Sequence, residues 1–250
     1  MNNQFVMKVN ETLLWFSILI LSYMAYIFNY RYLVVLSFWV IIIISVGNAK
    51  RIFLKKYLLF STILRRSMYV IPFIFPVITD FKLNLVTKNL FYWCLMGIVI
   101  GIMLHTPKIS EWKMMLSKDM LEITRKKEKE HYFTQIVMLI GAAIGEEIFF
   151  RNFVIGYVFD TPYIFSIALS CGLFFLNHFG VKWNNKFSFY DYAIQIIFGI
   201  LSSVLFIFSR SILPSIIAHL IYNFPPVLLT IKSYVFHYIS KDISRGEHNE

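Results

Sequence analysis

The sequence predicts an all-α, polytopic membrane protein with about eight transmembrane helices. Three observations predict it. Of the 250 residues, 58% are hydrophobic and 15% charged, with mean hydropathy +0.65; a soluble domain of this length carries about 25% charged residues. The apolar residues fall in runs approaching the ~20 positions a helix needs to cross a bilayer. The basic residues sort to one side of those runs.

In chain order the runs are 12–28, 33–47, 67–80, 90–105, 135–159, 162–180, 190–208 and 212–232. The first has no small-residue cleavage site and reads as a retained span, not a signal peptide. The third is short. It borrows from 57–64 or runs on toward residue 85, and seven spans is the alternative count. With the N-terminus in the cytosol, eight spans put nineteen Lys and Arg inside and only Arg31, Lys82, Lys88 and Arg210 outside. Arg151 stands alone within a span. That asymmetry fits the positive-inside rule and places both termini in the cytosol.

The formal net charge of +10 therefore belongs to membrane topology and does not imply a nucleic-acid partner. The partner is the lipid bilayer. The one sizeable polar segment, 108–131, mixes seven basic and five acidic residues with Trp112, Met114, Met115, Leu116, Leu121 and Ile123. It reads as an amphipathic helix on the cytosolic surface, leading into the fifth span. A second basic, aromatic-rich segment, 51–66, is accounted for by anionic headgroups. Cys94 and Cys171 lie in apolar runs and behave as packing residues. The chain is one membrane domain, 1–250. It divides into N-terminal helices with the amphipathic segment (1–134), a four-helix core (135–232) and a cytosolic tail (233–250).

Polar residues at membrane depth carry the chemistry. Glu146, Glu147 and Arg151 sit within Gly141-Ala-Ala-Ile-Gly-Glu-Glu-Ile-Phe-Phe-Arg-Asn-Phe153. An Arg or Asp at a helix centre costs ~2.5–3.5 kcal/mol on insertion scales. On a helix Glu147 and Arg151 share a face and can pair. Glu146, about 100° round, is not neutralised by that pair. It lies about eleven residues into its span, ~16 Å from the cytosolic end. Gly141 and Gly145, four apart, allow a neighbouring helix close approach. The sixth run ends Phe174-Phe-Leu-Asn-His178, and the eighth contains His219-Leu-Ile-Tyr-Asn223. Taken singly, such a His or Asn is ordinarily an interhelical hydrogen-bond partner. A free carboxylate, two imidazoles and a carboxamide together exceed what packing needs, and they point to one shared, partly wet cavity.

That set can hydrolyse a peptide bond. A carboxylate in a low-dielectric site acts as general base on water, and a His beside it shares or orients that water. A second His and an Asn donate to a developing oxyanion. Alternatively Glu146, His178 and His219 supply three ligands to a divalent metal such as Zn²⁺, which then activates the water. The residue types do not separate these mechanisms. No H-E-x-x-H or G-x-S-x-G occurs, and no Asp lies mid-span, which argues against zincin, serine and aspartyl chemistry. Proton-coupled transport also uses Glu and His at depth, but eight unequal spans without repeat symmetry fit it less well.

At these residues the chain resembles the CAAX protease and bacteriocin-processing (Abi) family of intramembrane endopeptidases. The family pattern is E-E-x-x-x-R, F-x-x-x-H and H-x-x-x-N/D, here complete and in order at Glu146–Arg151, Phe174–His178 and His219–Asn223. The resemblance covers about residues 135–226. It implies Glu146 as the water-activating carboxylate aided by His178, and His219 with Asn223 as the oxyanion site. It implies Glu147 and Arg151 as braces and Phe174 as packing beside the cavity. The family is commonly labelled metalloprotease, and a metal-independent glutamate mechanism is also argued for its prenyl-protein members. His219 with Asn223 resemble hydrogen-bond donors more than a ligand set, so no cofactor is the first choice and Zn²⁺ the alternative.

The implied substrate is a membrane-associated or hydrophobic peptide or protein precursor, such as a peptide pheromone or bacteriocin. The Lys-, Ile-, Phe- and Asn-rich composition suggests the cell membrane of an AT-rich bacterium. A non-proteolytic scaffold or bacteriocin self-immunity protein is the runner-up function, and a transporter the third.

Overall fold

The computed structural model describes residues 18–20, 22, 23, 27, 29–52, 57–78, 81–158, 162–180 and 188–240. The first predicted span lies largely outside these residues. So do the turn at residues 160 and 161, the loop carrying Lys182 and Lys186, and the tail from residue 241. All regular structure among the described residues is helical: α1 Arg31–Asn48, α2 Leu58–Ser67, α3 Ile71–Ile78, α4 Leu90–His105, α5 Ile109–Met115, α6 Lys118–Ile123, α7 Lys129–Glu147, α8 Tyr163–Gly180, α9 Phe189–Ser209, α10 Leu213–Tyr222 and α11 Phe224–Tyr234. Helix α7 continues as a π-helix over Ile148–Ile155.

Four helical stretches are long and apolar enough to cross a membrane: α1, Leu90–Met115, Lys129–Ile155 and α9. Two bent pairs, α2 with α3 at 59° and α10 with α11 at 51°, raise the number to six if each is one span. The protein is therefore a multi-pass, all-helical membrane protein. The predicted eight also counts α8, which is apolar but shorter, and the run at 12–28. The fourth predicted span coincides with α4, and the seventh with α9 to within one residue at each end.

Three elements differ from the sequence expectation. The segment 108–131 is not one helix. Ser117 accepts a hydrogen bond from the Met120 amide and starts α6 afresh, and Thr124 turns extended and ends it. The eighth span is broken at Asn223. Pro225 and Pro226 follow at the start of α11, and proline can neither donate an N–H nor fit inside a continuing helix. The basic segment 51–66 is not wholly at the surface: Arg66, in the last turn of α2, is 7% exposed.

Glycines set the closest helix contacts. A methyl at Gly97 on α4 would collide with the Pro214 carbonyl, and one at Gly101 would lie 2.7 Å from the Ala218 oxygen. Helix α10 is thereby held backbone to backbone on α4. Gly141 and Gly145 on α7 face Val70 and Phe73: a methyl at Gly141 would lie 3.0 Å from a Val70 methyl, and one at Gly145 3.1 Å from the Phe73 Cβ. The expected close approach thus occurs, against α3 and the bend before it. All eight residues Ile148–Ile155 are buried, so this segment is the axis around which α3, α8 and α9 pack.

Candidate active site

Glu147 is fully buried, and both its oxygens are engaged. Ser202 donates Oγ–H to Oε2 at 2.5 Å, Arg151 Nε lies 3.3 Å from Oε2, and His219 Nδ1 lies 2.8 Å from Oε1. The Glu147–Arg151 pair forms as the spacing predicts, although the backbone between them has passed into the π-helix. Arg151, also fully buried, donates from Nη2 to the Gly199 carbonyl at 3.3 Å. Its guanidinium lies over the Phe174 ring at 4.5 Å and near that of Phe198 at 5.6 Å. Cation–π contact of this kind stabilises a desolvated guanidinium by ~2 kcal/mol.

Glu146 is placed differently. Its Oε2 has His178 Nε2 at 3.8 Å and His219 Nε2 at 3.9 Å. Both separations exceed a direct hydrogen bond. Each imidazole is anchored through its other nitrogen. His178 Nδ1 is 3.0 Å from the Phe174 carbonyl; a carbonyl only accepts, so the proton is on Nδ1 and the Nε2 lone pair faces Glu146. His219 is fixed by Glu147. Three helices, α7, α8 and α10, thus bring Glu146, His178 and His219 around one carboxylate oxygen.

Phe174 is the packing centre of the cluster. Its ring lies 4.6 Å from that of His178, 6.2 Å from that of His219 and 5.4 Å from that of Phe150. Asn223 stands one turn after His219, at the break between α10 and α11, and its amide donates to the His219 carbonyl at 2.9 Å. Its carboxamide is half-buried and, among the described residues, is not part of the hydrogen-bonded cluster.

Helix α9 carries no motif, yet it holds the cluster together. Ser202 and the Gly199 carbonyl bind Glu147 and Arg151, and the Phe198 ring lies 4.7 Å from that of His219. The available signal was Phe198-Gly199-Ile-Leu-Ser202-Ser203, small and hydroxylated residues grouped in an apolar run. Cys171 packs on this helix as expected. It is buried and unbridged, and a methyl at Gly199 would lie 2.8 Å from its sulfur.

Imidazoles that ligate a metal commonly donate their second N–H to a carboxylate or carbonyl, as these two do. The donor spacing is nevertheless too wide. Metal bonds of 2.0–2.1 Å in tetrahedral geometry set ligand atoms ~3.3 Å apart, below the 3.8 and 3.9 Å here. Among the described residues no group of three or more His, Cys, Asp or Glu is arranged to hold a metal ion. The donor set as it stands does not fit a bound zinc.

Residues 129–225 match the family described as type II CAAX prenyl endopeptidase Rce1-like. The matched segment runs from the first residue of α7 to the second residue of α11 and contains all seven site residues expected from the sequence, Glu146, Glu147, Arg151, Phe174, His178, His219 and Asn223. No curated protein and no solved structure matches the chain.

Proposed function

We propose that this chain, whose residues 129–225 belong to the Rce1-like family of type II CAAX prenyl endopeptidases, hydrolyses peptide bonds in a membrane-associated or hydrophobic precursor by glutamate-activated water. One observation carries the reading: Glu146 Oε2 lies within 3.9 Å of two anchored imidazoles from two other helices. A water in that space gives its proton to Glu146 as its oxygen attacks the carbonyl carbon. His178 Nε2 accepts the water's other hydrogen and sets its direction. His219 carries a proton on each nitrogen throughout, balanced by the Glu147 carboxylate at Nδ1, and its Nε2–H, with the Asn223 carboxamide, donates to the oxyanion and is not consumed. Glu146 then passes its proton to the leaving amine. The balance is one water and one peptide bond giving a carboxylic acid and an amine, with no metal in the sequence of steps.

The substrate class is a peptide pheromone or bacteriocin precursor, and the setting is a bacterial cell membrane with both termini in the cytosol. Comparative peptidomics of membranes and medium, wild type against Glu146→Gln, tests the activity and names the substrate. A precursor should accumulate in the variant at unchanged protein abundance, and likewise in His178→Ala and His219→Ala. Full biological activity in all three variants would move the protein to a scaffold or immunity role. Liposome flux of an ion or peptide, lost in Glu146→Gln, would instead make it a transporter.

A further inference from the structure

A groove of about 790 Å³ lies away from the cluster, between α2, the α2–α3 bend, the first half of α7 and α11. Its walls are apolar side chains, among them Ile63, Val70, Phe133, Val137 and Ile231. Arg66 reaches into it from one end. Arg66 is 7% exposed, and among the described residues its Nη1 has no hydrogen-bond partner. Nη2 meets only the imidazole of His131, at 3.1 Å from Nδ1. Among the described residues Arg66 has no carboxylate partner; Glu130, also on the groove, is exposed and does not pair with it. Lys129 lines the same end, and Arg65 precedes Arg66 in the helix.

A shielded, uncompensated guanidinium is costly, because its charge has left water without gaining a counter-charge. An anion at Arg66 removes the cost. The groove specifies what the anion is attached to. From Lys129 to Met138 it follows α7 over nine rises of 1.5 Å, ~14 Å, and half of a ~30 Å hydrocarbon core is ~15 Å. Charge at one end and an apolar wall one leaflet deep match a lipid. We propose that the groove binds one anionic phospholipid, with its phosphate on Arg66 and an acyl chain along α7.

This site is sharper than the attraction of a basic surface for headgroups, since it orders a single lipid against a single buried side chain. Its inner end is closed where Gly141 meets Val70. The occupant therefore leans on the α2–α3 bend, and Phe73 beyond that bend packs on Phe149 and Phe150. The site does not depend on the peptidase reading and is tested by binding.

The full chain, purified in neutral detergent and reconstituted in nanodiscs, serves for the test. Native mass spectrometry should retain phosphatidylglycerol in preference to phosphatidylcholine, and the thermal midpoint should rise with the phosphatidylglycerol fraction. Arg66→Gln should weaken that binding on the order of tenfold through loss of a charge-assisted bidentate contact. Val137→Trp, which fills the groove and leaves Arg66 intact, should do the same. In pure phosphatidylcholine, Arg66→Gln should be no less stable than wild type, because an unpaired buried charge has gone. Equal retention of the two lipids would overturn the proposal, as would unchanged binding in either variant. So would inorganic phosphate competing as well as the lipid, or an Arg66→Gln protein less stable in the neutral lipid.

Discussion

Glu147 is sealed from solvent and bonded to Arg151, Ser202 and His219, whereas Glu146, one residue earlier, keeps 9% of its surface and meets the nearest imidazole nitrogens at 3.8 and 3.9 Å. Both sit at the end of α7, where the helix widens into the π-turns. The difference lies in the neighbours. Glu147 points at α9, which supplies a hydroxyl to it and a carbonyl to its arginine. Glu146 points at the ends of α8 and α10, which supply imidazoles already committed through their other nitrogens. A carboxylate with both oxygens engaged holds helices together, and one without a direct hydrogen bond has room for a reactant. Adjacent identical residues are thus separated into support and chemistry by 100° of helix rotation.

The largest expected effect comes from closing that difference on the reactive side. Glu146→Gln should lower turnover on the order of 10²–10⁴-fold, the usual contribution of a general base, at wild-type membrane abundance. A cleavage assay with quantitative blotting reads both, and a variant lost from the membrane would show that Glu146 also supports the fold. On the supporting side, Arg151→Ala leaves Glu147 as an uncompensated buried charge. It should destabilise the protein by about 3–5 kcal/mol, seen as loss of folded protein in detergent. The paired change Glu147→Leu with Arg151→Met sharpens the point. It should recover most of that stability, since apolar replacement of both partners is often neutral. It should stay poorly active, since His219 loses its anchor. Recovery of activity along with stability would make the Glu147–His219 bond irrelevant to the reaction.

A smaller effect is expected at Ser202→Ala, which removes one hydrogen bond to a charged acceptor, about 1.5–3 kcal/mol. Thermal unfolding in detergent checks it, and a loss below about 0.5 kcal/mol would mean that Arg151 and His219 suffice for Glu147. The smallest is expected on metal removal. Dialysis against a strong chelator should leave activity within about twofold, as a barrier change under ~0.5 kcal/mol requires. Activity lost in chelator and restored by zinc would show that Glu146, His178 and His219 draw together around an ion, despite their spacing in the present arrangement.

Much of this organisation was legible in the sequence because hydrocarbon makes polarity conspicuous. Glu146, Glu147, Arg151, His178 and His219 stand out in runs that otherwise tolerate only apolar side chains, and the structure brings the five together. Asn223 stood out as clearly, yet it lies at the helix break outside the hydrogen-bonded set. Ser202 and Gly199 gave no comparable signal. A serine in a membrane helix can satisfy its hydroxyl on the carbonyl one turn back, as Ser203 does on Gly199 at 2.7 Å, so its presence costs little and says little. The π-helix at Ile148–Ile155 was equally silent, because no residue type specifies it. The break at Asn223 was written in Pro225-Pro226, but an apolar run of span length concealed it. Arg66 was visible as one basic residue among several. Its burial follows from how α2 packs on α7, which composition does not encode.

The break between α10 and α11 has a further consequence for supply. Hydrolysis consumes water, and a bilayer interior holds almost none. Pro225 and Pro226 occupy the positions whose N–H groups would have bonded to the carbonyls of Ile221 and Tyr222, so two peptide oxygens lose their helical donors within a turn of His219. Backbone acceptors freed at such depth persist only where protein or solvent meets them. Two prolines thereby leave backbone acceptors within a turn of His219, on the helix that carries one of the two imidazoles facing Glu146.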